Sequence, residues 1–514
     1  MITATLRQPR VAEGERVGWR GWAALVVLML PVLLVSVDNT VLSFALPAIA
    51  LDLEPSSAQQ LWIIDAYPLV LAGLLVTMGS LGDRFGRRRM LLIGASGFAA
   101  VSVLAALAPT AALLIGARAL MGVFGAMLMP STLSLLRSIF TNRDQRRFAI
   151  AVWAAAFSAG AALGPIVGGV LLEHFAWGSV FLMSVPVLIP LLVLAPMLVP
   201  ESRDPQPGPL DPASIGLSMA AMVPFVWGIK ELAVHGLESL GIPLIVTGAI
   251  FAALFVRRQV RVSTPMLDMA LFKNGAFSGA LLVNLLSVIS LVGFLFFVTQ
   301  HLQLVVGLSP FAAGLALVPG LLAMILSGLT VVPVAKRYAP RIVVPVALTF
   351  SLIGYLGVAM STENLWMLVA SFVSLGIGIG AAETVSNELV LASAPPAKAG
   401  AASAVSETAY EVGAVLGTAM LGGILTAIYR NSFLVPAGVP SEYAFDARET
   451  LAGATHAASE LGGPVGDALR EASTHAFDAG VSVTALIGAG LVVLAAGIGA
   501  TTLGGTRSAP AVEH

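Results

Sequence analysis

Long apolar runs, separated by short breaks that carry charge or Pro and Gly, set the pattern of this chain from residue 22 onward. A helix that crosses about 30 Å of hydrocarbon needs about 20 mainly apolar residues. Fourteen stretches meet that length, approximately 22–46, 57–80, 90–108, 111–136, 148–172, 178–199, 213–233, 241–258, 276–300, 310–334, 342–360, 366–392, 399–428 and 479–503. The first is too long for a signal-peptide core and no small-residue cleavage site follows it, so it reads as a retained helix. Span 213–233 departs most from the pattern, because it carries Pro224 and ends at Lys230-Glu231.

The charges test that count independently. With the N-terminus in the cytoplasm and the spans alternating, the basic clusters Arg7–Arg20, Arg84–Arg89, Arg137–Arg147, Arg257–Lys273 and Lys336–Arg341 all fall inside, with Arg203, Lys398 and Arg507. Only Lys230, Arg430, Arg448 and Arg470 fall outside, and Arg118 alone lies within a span. The positive-inside rule therefore predicts fourteen helices with both termini cytoplasmic. The expected layout is a tail (1–21), a six-helix bundle (22–200), a linker with two further spans (201–275), a second six-helix bundle (276–504) and a tail (505–514). The second bundle carries the one long extracellular stretch, 429–478. Its length predicts a solvated loop, whereas its alternating small and acidic residues allow short helices that cap the outer face.

Composition agrees with an all-α polytopic membrane protein. Of 514 residues 57% are hydrophobic and 11% charged, against about 45–50% and about 25% in soluble domains, and the mean hydropathy is +0.93. A net charge of −1 gives no reason to expect nucleic acid as a partner. The absence of cysteine removes disulfides, thiol catalysis and thiolate metal sites. No His-Glu-x-x-His and no Gly-x-x-x-x-Gly-Lys-Ser/Thr occurs, so no metal site or nucleotide cassette is written in a motif. No catalytic dyad stands at membrane depth. The reading is a transporter without cofactor, not an enzyme, driven by an ion gradient or by its substrate's own.

Candidate chemistry lies in the intramembrane charges. Asp38, Asp65, Glu383, Glu388, Glu407 and Glu411 fall within spans one, two, twelve and thirteen. Each ionised acid at the bilayer centre costs about 2.5–3.5 kcal/mol on insertion scales and marks a functional site by default. Six acids against Arg118 alone must be partly protonated, line water, or await a cationic ligand. Glu407 and Glu411, at i and i+4, share one helix face, and Glu388 lies close enough to the interface to be solvated. Aromatic residues recur beside the acids: Phe44 near Asp38, Trp62 and Tyr67 around Asp65, Tyr410 between Glu407 and Glu411. Acid plus aromatic surface suits an amphipathic cation; Trp62 reads equally as an interface anchor, which favours Tyr67 and Tyr410.

Three motifs complete the pattern. GSLGDRFGRRR (Gly79–Arg89) occupies the turn between spans two and three, with Asp83 beside Arg84, and VAKRYAPR repeats its basic and aromatic positions between spans ten and eleven. Such a weak repeat is what two related halves leave. GARALMG places Arg118 beside Gly122, and GAALGPIVGG (Gly160–Gly169) puts Gly164-Pro165 in span five. Small residues there serve helix packing, a hinge, or both.

Together these motifs, with DNTVLSFALP (Asp38–Pro47, including Asn39), WIIDAYPL (Trp62–Leu69) and SETAYEVGAVLG (Ser406–Gly417), resemble the fourteen-helix drug:proton antiporter branch of the major facilitator superfamily. The likeness runs from about 20 to 505 and is greatest to QacA-type and LfrA-type exporters of fluoroquinolones, dyes and quaternary ammonium compounds. The resemblance implies two pseudo-symmetric bundles rocking around a central cavity, joined by two helices that do not line it, in a monomer of the bacterial cytoplasmic membrane surrounded by lipid. It further implies export of organic cations and zwitterions against protons, with the six acids, Asn39, Tyr67 and Tyr410 binding substrate or proton. Asp83, Arg84, Arg118, Gly164 and Pro165 would couple the conformational change. A proton-coupled importer of a nutrient or siderophore, or an exporter of one specific metabolite, on the same fold is the alternative.

Overall fold

The computed structural model describes residues 17–204, 211–236, 239–263, 265–360, 364–394 and 399–504. Arg7, Arg10, Arg16, Lys398 and Arg507, with most of both predicted tails, lie outside the described residues. Among those described the structure is helical, and fourteen helices are long and apolar enough to cross a membrane.

The first bundle contains α1 (Trp19–Leu53), α2 (Ser57–Phe85), α3 (Arg87–Ala106), α4 (Ala111–Ile139), α5 (Arg143–His174) and α6 (Ser179–Leu198). Two linker helices follow, α7 (Pro212–His235) and α8 (Gly241–Arg261). The second bundle has α9 (Gly275–Val305), α10 (Pro310–Arg337), α11 (Pro340–Met360), α12 (Leu365–Ala392), a three-part α13 and α16 (Gly463–Thr502). In α13 the α-helical segments Ala399–Gly417 and Gly423–Ser432 flank a π turn, Thr418–Gly422. The short helices α14 (Ser441–Glu449) and α15 (Leu451–Leu461) precede α16. Most helices outrun the apolar runs that announce them, because backbone hydrogen bonding continues through the polar interface where hydropathy has already fallen.

Caps fix several helix starts. Ser56 accepts from the Gln59 N–H at 3.3 Å while the Gln59 side chain accepts from the Ser56 N–H at 3.0 Å, a reciprocal capping box. Asp211 caps α7 through Ser214 at 3.2 Å, with Pro212 in the first turn, and Arg258 of α8 grips Asp211 at 2.7 Å. That pair closes the linker hairpin, and Arg258 with Ser214 holds the Asp211 carboxyl below the usual carboxylate range.

The two bundles meet at the face that carries α14 and α15. Glu173 of α5 accepts from Ser309, just before α10, at 3.0 Å, and Gln303 donates to the Phe44 carbonyl at 3.1 Å. A side chain on Gly169 would stand 2.7 Å from Phe311 Cα, and one on Gly314 would strike the Pro165 carbonyl. Glycine permits this approach of α5 to α10.

The stretch 429–478 corrects the solvated-loop expectation: α13 continues to Ser432, α16 begins at Gly463, and two helices stand between. Their small residues Ala447, Ala452, Ala454, Ala457 and Ala458 are buried, so they pack rather than remain in solvent. Tyr429 donates to the Ala447 carbonyl at 2.7 Å. Glu449 pairs with Arg430 at 3.1 Å and accepts from Ser57 of α2 at 2.9 Å, tying this cap to the first bundle.

Candidate functional site: a chain of buried charges

Asp38 sits on α1 at 3% exposure and Arg118 on α4 at 1%. Their side chains pair at 2.7 Å. Arg118 also donates to the Ile63 carbonyl at 3.3 Å and lies over the Tyr67 ring, 4.7 Å from its centroid. A delocalised, planar cation suits this mixture of carboxylate, carbonyl and ring face better than an ammonium would. Gly122 and Gly125 make room, since a Cβ on Gly122 would meet the Tyr67 carbonyl at 2.6 Å and one on Gly125 the Tyr67 ring at 3.0 Å.

From Asp38 the acidic cluster continues into the second bundle. Glu411 of α13 is 5% exposed; Asn39 is a near neighbour, and Asp38 and Glu407 lie close enough for their charges to act on it. Glu383 of α12 and Glu411 are both within electrostatic reach of Tyr410. One carboxylate oxygen of Glu383 and one of Glu411 are buried without a protein hydrogen-bond partner. Tyr410 stands edge-on to Phe157 of α5 with centroids 6.0 Å apart, and Phe157 stacks on Trp153 at 6.5 Å. Asp38, Asn39, Glu383, Glu407, Tyr410 and Glu411 thus come together between the bundles. Glu388 is five residues beyond Glu383 on α12 and exposed, so it stands apart from that cluster.

Asp65 corrects the sequence reading most. Its carboxylate is fully buried and pairs at 2.9 Å with Lys230 of α7, itself 1% exposed. Lys230 is therefore no loop residue, and Arg118 is not the sole buried cation. Lys230 also donates to the Leu61 carbonyl at 3.0 Å and lies 3.9 Å from the Trp62 ring centroid. The rings beside Asp38 and Asp65 are occupied by the protein's own cations: Tyr67 by Arg118, Trp62 by Lys230. The preference for Tyr67 over Trp62 as a cation platform fails on these contacts. Nor are the linker helices mere connectors, because α7 packs on α2 and on the π turn of α13, where Thr418 lies beside Asp65. The missed signal was a lysine three residues after Trp227, still in helical register.

The motif turn is held partly from far along the chain. Asp83 pairs with Arg87 at 2.8 Å, and Arg87 donates to the Ser202 hydroxyl at 3.1 Å. Glu201 accepts from the Arg88 and Arg89 N–H groups at 3.0 and 3.2 Å, a carboxylate at the N-terminus of α3. Gly86 has φ 113°, and a Cβ there would stand 2.8 Å from the Glu201 carboxyl; Glu201 was not singled out in the sequence. These contacts tie the α2–α3 turn to the segment that follows α6, and Arg84 flanks them at the end of α2. In GAALGPIVGG, side chains on Gly160 and Gly168 would stand 2.7 and 2.6 Å from Ser36 and Val41, and one on Gly164 would strike Thr40. One face of the motif thus admits α1, while Gly169 and the Pro165 carbonyl meet α10.

Two bundles, a linking hairpin and an interface lined with charge are the architecture of a membrane transporter. The chain belongs to the major facilitator superfamily, whose family model matches residues 28–299 and 280–440. It is 57% identical over 481 residues to the multidrug efflux pump LfrA of Mycolicibacterium smegmatis, covering 93% of this chain and 95% of that one. It is 36% identical to the methyl viologen resistance protein SmvA of Salmonella typhimurium, covering 94% and 98%. To the tetracenomycin C resistance and export protein of Streptomyces glaucescens it is 32% identical, covering 97% and 95%. Among solved structures it resembles a bacterial homolog of the human lysosomal transporter Spinster in an inward-facing, unoccupied conformation (TM-score 0.66, 18% identity, covering 94% and 98%). It also resembles a D-xylose–proton symporter (TM-score 0.58, 15% identity, covering 86% and 96%). The fourteen helices and these relatives place it as a multi-pass transporter of the bacterial cytoplasmic membrane.

Proposed function

We propose that this chain is a proton-coupled multidrug exporter that moves cationic and amphipathic compounds outward by alternating access. Quaternary ammonium compounds, dyes such as ethidium, and fluoroquinolones are the cargo the reading names. The observation that carries it is the excess of buried acid between the bundles. Arg118 is committed to Asp38, while Glu383 and Glu411 each keep a buried carboxylate oxygen with no protein partner. A buried carboxylate in that position is satisfied by a proton, by water or by a cation, and exchange among these is what antiport requires. The efflux and resistance relatives support the direction of transport.

In this reading the arginine-rich face is cytoplasmic and the face closed by α14 and α15 is external. A cation entering from the cytoplasm meets Glu407, Tyr410 and Glu411 with Phe157 opposite. Protons arriving from outside neutralise Asp38 and Glu411, which releases the cation outward, and the protons leave to the cytoplasm as the bundles reset. Proton and drug bind the two states differently, and that difference is what drives the switch. Asp83, Arg84, Arg118, Gly164 and Pro165 act on the switch rather than on the drug. The transporter works as a monomer in lipid with no cofactor. The test is accumulation of ethidium and norfloxacin in cells that express the chain. Both should accumulate less than in control cells, and a protonophore should abolish the difference. Equal accumulation with and without the chain refutes the proposal.

A further inference from the structure

The linker helix α7 delivers a primary ammonium into the first bundle's interface with α13, and the antiport cycle above has no use for it. Lys230 Nζ is held by Asp65 at 2.9 Å, by the Leu61 carbonyl at 3.0 Å and by the Trp62 ring at 3.9 Å from its centroid. One carboxylate, one carbonyl and one indole face form a recognition set for a singly charged organic cation. Stability alone does not call for such a pair, since well-packed apolar residues replace buried ion pairs at no loss in many proteins. The enclosure is also divided between moving parts: Thr418, beside Asp65, opens a π turn in the second bundle, a distortion that recurs at functional sites.

We propose that Lys230 is a tethered stand-in for the transported cation, which enters the Asp65–Trp62 site by displacing it. The inference rests on the efflux reading and specifies a class within it: a monovalent organic cation with an aromatic or apolar body. The exchange keeps charge balanced, because one positive charge leaves as another arrives and Asp65 is never left buried and bare. A neutral or zwitterionic compound brings no net charge to replace the ammonium and gains nothing from the site. Lys230 has somewhere to go: it stands five residues before the end of α7 at His235. By helix rise that is about 7.5 Å, a little more than the roughly 6 Å reach of an extended lysine stem, so a displaced ammonium comes close to that interface.

The probes are tetraphenylphosphonium, a monovalent cation, and zwitterionic norfloxacin, with binding to the purified full chain measured by calorimetry. Lys230→Met vacates the site and should tighten tetraphenylphosphonium binding by about tenfold or more, the gain expected from about 1.4 kcal/mol. If that variant does not fold, the double variant Asp65→Asn/Lys230→Gln decides, since two amides can hydrogen-bond and the pair stays neutral. A merely structural pair would leave tetraphenylphosphonium affinity intact in the double variant, whereas the proposal requires it to weaken by about tenfold. Norfloxacin affinity should stay within about threefold in both. Unchanged tetraphenylphosphonium affinity in either folded variant overturns the assignment of Lys230, and so does an equal change for norfloxacin. Proton-driven efflux by the wild-type chain in proteoliposomes is measured alongside. Its absence overturns the efflux reading itself, whereas its presence with unaltered variant binding overturns only the role of Lys230.

Discussion

At the residue scale, the Asp38–Arg118 pair shows how a buried charge is made tolerable. Each partner satisfies the other at 2.7 Å, and Arg118 spends its remaining donors and its flat face on Ile63 and Tyr67. Arg118→Ala strands Asp38 at 3% exposure and should lower stability by about 3–5 kcal/mol. Asp38→Asn/Arg118→Met should recover most of that in thermal unfolding in detergent, yet remain without efflux. Transport by the double variant would show that the pair is structural only. Asp38→Asn and Glu411→Gln singly should each abolish efflux of ethidium and norfloxacin alike, because a proton site serves every substrate. Vesicle assays in which one drug is spared would assign that acid to substrate instead. Most of these acids stand out in the sequence because a carboxylate inside an apolar run is an anomaly. Lys230 did not, because a lysine followed by a glutamate near the end of a run looks like the start of a loop. Only the path of α7 against α2 shows that its side chain turns inward.

At the scale of elements, glycine decides how closely helices approach. Gly169 is where α5 meets α10, with Phe311 Cα 2.7 Å from the position of an added Cβ. Gly169→Leu should therefore part these helices without preventing membrane insertion. The chain has no cysteine, so Glu173→Cys with Ser309→Cys, side chains that hydrogen-bond at 3.0 Å, reports on the contact directly. The disulfide should form readily in the parent background and poorly with Gly169→Leu; equal yields would mean that Gly169 does not govern closure. Gly86 raises a different constraint, since φ 113° strains any residue with a side chain and the Glu201 carboxyl would have to move aside. Gly86→Ala should cost about 1–3 kcal/mol through backbone strain, read as a lower unfolding temperature. The motif's spacing announces a tight turn, but that its amides are held by Glu201 more than a hundred residues on is a matter of folding. Likewise the 429–478 stretch offers small and acidic residues that suit loop and helix alike. Packing against Tyr429, Ser57 and Arg430 selects helix.

At the scale of the whole molecule, the polar contacts Glu173–Ser309, Gln303–Phe44 and Glu449–Ser57 that tie the bundles lie toward the α14–α15 face. If that face is external, a reporter fused after Arg430 reads outside and one fused within 84–89 reads inside; a cytoplasmic signal after Arg430 would undo the orientation. By itself the sequence determined the number of helices long and apolar enough to cross a membrane, and it marked the acids that stand inside them. Hydrocarbon imposes length and penalises charge at every position, so both leave a mark readable residue by residue. Tertiary structure alone decided which charges neutralise one another, which rings remain available to a ligand, and that a linker helix supplies a cation to Asp65. Those outcomes depend on distances between helices far apart in the chain, and an ion pair forms only where packing brings two side chains within about 4 Å, which no local pattern of apolar and polar residues encodes.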